Sequence, residues 1–243
     1  MEKLQANSIL EKVPFSELNG LRVFGFSKRS QLLAVAAGMK GLLVGVNAEK
    51  IMSKDGDLRR IINGNLTVAY PDGAGSVLAL RRKGLDAIKI PGAEFWLDIV
   101  REFPEKRLYL VGAAREVVEA TVKKLRSEFP GVCICGYRDG YLKEGDQEKL
   151  SEDIQAVQPD VVFVAMGSPR QEILMDSLFA KHSALYMDLG GSFDVYTGVK
   201  KRAPRIFIRL NLEWLYRLFQ EPGRIWRQTV LLVFFLRLVA NRL

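Results

Sequence analysis

The sequence predicts an α/β protein of the Rossmann-like type, with a mainly parallel sheet, helices on both faces and a basic amphipathic helical appendage at the C-terminus. Two observations predict this fold class. Residues Val161–Met166 form an apolar run without alternation, which is typical of a central parallel strand covered on both faces. Segments with strand and helix patterns also alternate along the chain, which indicates right-handed crossovers. We therefore expect a ligand site at the carboxyl ends of the strands.

Most of the predicted strands are short apolar runs that end in a turn rich in glycine or polar residues. They are expected at Gly41–Val46, Leu66–Tyr70, Ile88–Ile90, Leu108–Val111, Val132–Cys135, Val161–Met166 and Ala184–Leu189. Helices are expected between them at Asp57–Ile62, Ser76–Arg82, Glu116–Phe129 and Glu148–Val157. With 243 residues, 48% of them apolar, the chain can bury one such core and no second domain of similar size.

The net charge of +8 is concentrated at the C-terminal end of the chain. Residues 200–243 contain ten Lys or Arg and two Glu, so residues 1–199 are neutral overall. This split predicts a neutral α/β body over 1–199 and a basic, aromatic appendage over 200–243 that meets a polyanionic surface.

The composition of the appendage favours a membrane surface over nucleic acid. Basic residues alternate there with Trp, Phe and Leu, as in a helix that lies in the interface of an anionic leaflet. The uncharged stretch between Arg227 and Arg237 is far shorter than the roughly 20 residues of a spanning helix. A helix docked on the core or in an oligomer interface is the alternative, and the oligomeric state stays open. Residues 1–7 show no signal-peptide pattern, so we expect a cytoplasmic protein, peripheral on the inner face of the cell membrane.

Several strand-end side chains are candidates for chemistry. Asp72 follows an apolar strand and could act as a general base, or it could cap the next helix. Asp139 and Asp194 lie in similar turns and compete for that role. Asn47 and Gln171 could hydrogen-bond a sugar or a base, or could be solvated.

The glycine turns at Gly167 and Gly191 indicate a phosphate or nucleotide ligand, because such turns present backbone N–H groups to an anion. No histidine or cysteine cluster in the sequence predicts a metal site, and no cofactor is expected. Cys133 and Cys135 are interpreted as core residues. Without a metal ion, the negative charge of a bound nucleotide would be balanced by protein cations, for which the arginine-rich tail is the obvious source.

Six blocks of the sequence, in order along the chain, resemble the signature blocks of the WecG/TagA/CpsF glycosyltransferase family. They are VNAEK at 46–50, YPDGAG at 70–75, AMGSPRQE at 165–172, GGSFDV at 190–195, KRAP at 201–204 and LEWLYRL at 212–218. The resemblance implies an inverting enzyme at the cytoplasmic face that transfers an N-acetylmannosamine-type sugar from its UDP donor to undecaprenyl-diphosphate-linked N-acetylglucosamine. The Met166–Pro169 block and the tail are closest to the WecG branch.

That branch uses UDP-N-acetylmannosaminuronic acid and makes a lipid intermediate of enterobacterial common antigen. A TagA-like transfer of neutral N-acetylmannosamine for wall or capsule glycan is the alternative, and the choice of donor and polysaccharide stays open. A nucleotide-sugar epimerase or dehydrogenase should show Gly-x-Gly-x-x-Gly after the first strand, and this pattern is absent from the sequence. A non-enzymatic peripheral membrane protein is the third reading.

The resemblance also implies roles for individual residues. Asp72 would be the general base, and Asn47 and Gln171 would line the sugar pocket. The tail arginines that match the family's basic positions would close over the UDP diphosphate: Arg217, Arg224 and Arg227.

Two positions depart from the family pattern. Lys89 stands where the family usually has an arginine, so it is a weaker candidate for a bidentate contact to the substrate. Asp188 stands where a small residue is usual before the glycine pair.

Overall fold

The computed structural model describes residues 10–201, 203–204, 206–207, 216 and 225–243. A short antiparallel hairpin precedes the main sheet; its strands are β1 (Phe15–Leu18) and β2 (Leu21–Phe24). The remaining described strands form one parallel six-stranded sheet. They are β3 (Gly41–Val46), β4 (Thr67–Pro71), β5 (Arg107–Gly112), β6 (Cys133–Arg138), β7 (Val161–Ala165) and β8 (Leu185–Asp188).

The strands lie in the order β4–β3–β8–β7–β5–β6. Every residue of β3, β4, β7 and β8 is buried, which explains why their sequences show apolar runs rather than alternation. The last of the described strands, β8, lies in the middle of the sheet and pairs with both β3 and β7.

Helices pack on both faces of this sheet, as the sequence predicted. The described helices are α1 (Arg29–Gly38), α2 (Ala48–Met52), α3 (Gly56–Ile62), α4 (Ala74–Arg82), α5 (Gly92–Glu102), α6 (Arg115–Glu128), α7 (Asp146–Val157), α8 (Arg170–Phe179), α9 (Ser192–Thr197) and α10 (Ile225–Val239). One apolar core contains residues of α2, α3, α4, α7, α8 and α10, and the other contains residues of α1, α5, α6 and α9. The predicted Rossmann-like fold class is confirmed.

The second core is built around Trp96 of α5. Its ring packs edge-on against Phe163, Phe193 and Tyr196, with ring centroids 5.6, 5.6 and 5.1 Å away. These contacts join α5 to β7 and α9, so the helix that begins beside β4 is fixed to the centre of the sheet.

The prediction of a strand at Ile88–Ile90 was wrong. This extended segment is not part of the sheet, because its amides bond to two different parts of the chain: Ile88 N donates to Phe26 O and Ile90 N to Pro71 O, each over 2.9 Å. The hairpin β1–β2 and helix α1 were not predicted. The Asn19–Gly20 pair that joins the two strands, with φ values of 51° and 74°, is a recognised hairpin signal.

The interpretation of both cysteines as core residues was wrong for Cys133, which is exposed near the start of the edge strand β6. Cys135 is half-buried and packs against the first core. Pairing passes from Leu108–Ile134 to Tyr109–Gly136, which leaves Cys135 as the extra residue of a bulge.

Helix α10 docks on the body through one side and exposes apolar residues on the other. Phe234 and Leu238 are buried in the first core, and Arg237 Nη1 donates to Asn19 Oδ1 over 2.9 Å. Its exposed apolar residues are Leu232, Val233, Phe235, Leu236 and Val239. None of the helices in the described residues is both long and apolar enough to cross a bilayer.

Candidate active site

The strand order brings four of the polar turns to neighbouring positions at the carboxyl ends of the strands. Asp72 follows β4, Asn47 follows β3, Gly191 follows β8 and Gly167 follows β7, and these four strands are adjacent. Asp139 follows β6 at the opposite end of the sheet, about 24 Å from β4 at the usual strand spacing. Asp72 is therefore nearer than Asp139 to the residues that follow β3 and β8, and the choice of Asp72 over Asp139 and Asp194 as the base stays a prediction.

Asp72 is held by the backbone at the start of α5. Its Oδ1 accepts a hydrogen bond from Gly92 N over 2.8 Å, and its own amide donates to Val46 O over 3.1 Å. Among the described residues no donor contacts its second carboxylate oxygen. The side chain is partly exposed, so this oxygen can accept a proton from a ligand in the cleft.

Two glycines lie in close contact with Asp72 and Tyr70. A Cβ on Gly45 would lie 3.1 Å from both Asp72 Cβ and the Tyr70 hydroxyl, and a Cβ on Gly92 would lie 3.0 Å from that hydroxyl. The hydroxyl is buried without a hydrogen-bond partner among the described residues. Burial, followed by the nearby charges of Asp188 and Asp72, raises the pKa of Tyr70 well above its ordinary value, so the phenol stays neutral.

Asn47 is the N-cap of α2. Its Oδ1 accepts a hydrogen bond from Lys50 N over 3.0 Å, which occupies the amide oxygen in the manner of a helix cap. A Cβ on Gly73, the residue after Asp72, would lie 3.3 Å from Asn47 Cβ. The structure thus places Asn47 against Gly73, the neighbour of Asp72 in the chain.

The side-chain amide of Gln171 bonds to other parts of the protein, whereas it was expected to line the sugar pocket. Its side chain is 2% exposed, and its Oε1 accepts from Gly167 N over 3.1 Å and from Gly190 N over 2.9 Å. Its Nε2 donates to Glu172 Oε1 over 3.0 Å and to Asp188 Oδ2 over 3.2 Å. These four bonds use the whole hydrogen-bonding capacity of an amide, so in this structure Gln171 joins two turns and has no free group for a sugar.

A buried ionic cluster lies beneath these turns, and the sequence analysis did not predict it. Lys50 Nζ is 2.7 Å from Glu172 Oε1, donates to Gly45 O over 2.7 Å and also contacts Asp188 Oδ2. Asp188 Oδ1 accepts from Gly45 N over 2.7 Å. One available signal was Asp188 itself, a carboxylate in an apolar strand that must find a partner when buried.

The protonation of the cluster follows from burial and mutual attraction. Burial raises the pKa of Asp188 to about 6; the Lys50 ammonium opposes this shift and the Glu172 carboxylate adds to it. For Lys50, burial lowers the pKa, but Asp188 and Glu172 outweigh it and the net shift is upward. For Glu172, burial raises the pKa, but Lys50 and Gln171 lower it by more than burial raises it, so the net shift of the pKa is downward.

The remaining predicted site residues lie around the same edge. Gly191 is exposed as the residue before α9, and Asp194 lies in the first turn of that helix, half-buried. Lys89 is half-buried in the extended segment beside the end of β4. Arg217 and Arg224 lie outside the described residues, as does the side chain of Arg227. In the described ranges no three His, Cys, Asp or Glu side chains are grouped so as to hold a metal ion.

The comparison with protein families agrees with this arrangement over nearly the whole chain. Residues 18–243 match the model of the glycosyl transferase WecG/TagA/CpsF family. The match includes β3, β4, β7 and β8 and every turn that the structure brings to the site. The chain therefore belongs to the WecG/TagA/CpsF family, and it is a glycosyltransferase that acts on a UDP-activated amino sugar in cell-surface polysaccharide synthesis.

Proposed function

We propose that the protein transfers N-acetylmannosaminuronic acid from its UDP donor to undecaprenyl-diphosphate-linked N-acetylglucosamine, with inversion at the anomeric carbon and without a metal ion. The observation that carries the mechanism is Asp72, a partly exposed carboxylate held by Gly92 N beside Asn47 at the carboxyl edge of the sheet. The uronic acid is favoured over neutral N-acetylmannosamine by the likeness of Met166–Pro169 and of the tail to the WecG branch.

The reaction needs one base and one leaving group. Asp72 takes the proton of the acceptor hydroxyl as its oxygen attacks the anomeric carbon of the donor. The bond between that carbon and the UDP oxygen breaks on the opposite face, so the configuration inverts and UDP leaves with the bonding electrons. The proton stays on Asp72 until solvent removes it.

Cationic groups stabilise the negative charge that develops on the diphosphate. Lys89 lies at the end of β4 near Asp72, and the tail supplies Arg217, Arg224 and Arg227. The turn at Gly191 is the better candidate for a backbone contact to the donor, because the amide of Gly167 already donates to Gln171. Asn47 and Asp194 flank the same edge and contact the sugar or the ribose.

The appendage binds the membrane in this proposal. The exposed face of α10 carries Leu232, Leu236 and Val239, with exposed fractions of 62%, 62% and 70%, and the segment before it is strongly basic. Apolar residues of this kind insert between lipids while Lys and Arg contact anionic headgroups. The enzyme is then peripheral on the cytoplasmic face, with residues 1–199 as catalytic body and 200–243 as an appendage that also completes the site.

The test is product analysis with two donors and one lipid-linked acceptor. We expect transfer from UDP-N-acetylmannosaminuronic acid and at most slow transfer from UDP-N-acetylmannosamine, with a product of the opposite anomeric configuration. Preferred use of the neutral donor would assign the protein to a TagA-like role, and a product with retained configuration would exclude direct displacement.

A further inference from the structure

The charged residues that are fully buried in the described part of the chain belong to one cluster. They are Lys50, Glu172 and Asp188, which come from α2, from the first turn of α8 and from the last residue of β8. The other buried polar residues of the described part are uncharged: Thr67, Ser76, Thr121, Ser151, Gln171 and Ser192. Charge is thus buried where the carboxyl ends of β3, β7 and β8 meet, directly below the turns assigned to the donor.

We propose that Lys50 is a positioning residue, whose ammonium group, held by Glu172 and Asp188, fixes the turns after β3, β7 and β8 in the arrangement that receives the UDP-sugar. This role rests on the proposed function, because it takes those turns as the donor site. Lys50 itself touches no part of the substrate.

The hydrogen bonds connect Lys50 to all three turns. It donates directly to Gly45 O in β3, and Asp188 binds the amide of the same residue. Through Asp188 and Glu172 the cluster holds the Gln171 amide, whose oxygen binds the first glycine of each of the other two turns, Gly167 and Gly190. A displacement of the ammonium group would therefore be transmitted to three backbone segments at once.

Stability alone explains this cluster poorly. Buried ion pairs often add no net stability over apolar residues of similar volume, since desolvation offsets their attraction. This cluster has two carboxylates for one ammonium, which makes it less favourable than a simple pair. What it provides is a fixed geometry for backbone groups that an apolar side chain could not bind.

The unequal charge count gives the role a measurable signature. The groups that face Asp188 are Lys50 from α2, Glu172 and Gln171 from α8, Gly45 N from β3 and the neutral Tyr70 from β4. Its pKa of about 6 means that the cluster takes up a proton as the pH falls through that value. Without Lys50 two buried carboxylates lack a cation, and protonation at low pH partly relieves this.

The experiment is calorimetric titration of the two UDP-sugars into full-length protein at about pH 5 and about pH 8, on either side of the transition. The variants are Lys50→Met, Lys50→Met with Asp188→Asn, and Ile154→Ala. Ile154 is buried in α7, which packs on the far edge of the sheet, and serves as the control for general destabilisation.

We expect Lys50→Met to raise the donor Kd about tenfold at the higher pH, which is the usual effect of losing one buried hydrogen bond. At the lower pH the increase in Kd should be smaller. The added Asp188→Asn change should recover part of the loss at the higher pH. Ile154→Ala should lower the melting temperature and leave Kd unchanged.

The proposal is overturned if Lys50→Met behaves like Ile154→Ala, or if its defect is equal at both pH values. If Lys50→Met does not fold, the single variant Asp188→Asn is the test, because its Lys50 still has Glu172 as an ionic partner. Any change in the donor Kd that the wild-type protein shows near pH 6 should be lost in this variant. If that change persists in Asp188→Asn, the role is refuted. Wild-type protein that binds neither UDP-sugar would refute the proposed donor site, and the positioning role with it.

Discussion

Replacing Asp72 by Asn is the most direct test of the site, because it removes a proton acceptor and little else. Asn keeps the size of the side chain, and its Oδ1 can still accept the 2.8 Å hydrogen bond from Gly92 N. The second position of the carboxylate, which would take the acceptor proton, becomes an NH₂ group that cannot accept one. The fold should therefore survive while the chemistry is lost.

The magnitudes follow from these two contacts. A positioned general base contributes about 10²- to 10⁴-fold to a reaction rate, so turnover should fall by that factor, which is about 3–5 kcal/mol of transition-state stabilisation. Loss of the negative charge at the N-terminus of α5 should cost about 0.3–1 kcal/mol of folding stability. For a chain of this length that lowers the melting temperature by about 1–4 °C.

The assay measures lipid-linked product formed by purified protein at saturating UDP-sugar, with thermal unfolding recorded on the same samples. Asp139→Asn is the matched control, since Asp139 also lies at a strand end and accepts a backbone hydrogen bond, from Tyr141 N over 3.0 Å. It should keep wild-type turnover. Asp72→Asn with turnover within about threefold of wild type, far above the loss expected for a base, would eliminate Asp72 and direct attention to Asp194.

Three further predictions concern the leaving group and the appendage. Activity should be unchanged in EDTA, because Lys and Arg side chains take the diphosphate charge; loss that only magnesium or manganese restores would refute this. Changing Leu232 and Leu236 to Ser should weaken pelleting with anionic liposomes roughly 30-fold, from about 1 kcal/mol for each exposed side chain, whereas Leu66→Ser at the other end of the sheet should not. Arg227→Ala should reduce turnover steeply and leave liposome binding nearly intact, since it removes one of many basic contacts; an equal loss of both would mean that the tail only anchors.

The parallel sheet could be predicted because its signal is local. Gly41–Val46 and Val161–Ala165 are strands for a reason visible in each segment, namely that every side chain is apolar and buried. The order of the strands carries no such signal. β8 lies between β3 and β7 although β3 and β8 are separated by more than half of the chain, and only tertiary packing decides this.

The same distinction applies to the site. The positions of Asp72 and Asn47 at the carboxyl ends of strands could be predicted, because each follows an apolar strand directly, and their roles stay predictions. Lys50 could not, since the pattern of a short helix after a strand suggests a solvated lysine, and its partner Asp188 is 138 residues away. Gln171 was expected to contact the sugar, but its position between two glycine turns satisfies all of its hydrogen bonds inside the protein.

The docking of α10 connects the membrane surface to the chemistry. A Cβ on Gly75, close after Asp72, would lie 3.1 Å from the Phe234 ring and 3.4 Å from Ala48. The buried side of α10 thus packs against the helices that begin directly after the two site residues Asn47 and Asp72. If the opposite side of α10 lies on lipid, the carboxyl edge of the sheet is held near the headgroups, where a lipid-linked acceptor presents its sugar. For the same reason, deleting residues 200–243 would uncover the core at Phe234 and Leu238 and would not separate anchoring from catalysis, whereas substitutions on the exposed face of α10 can.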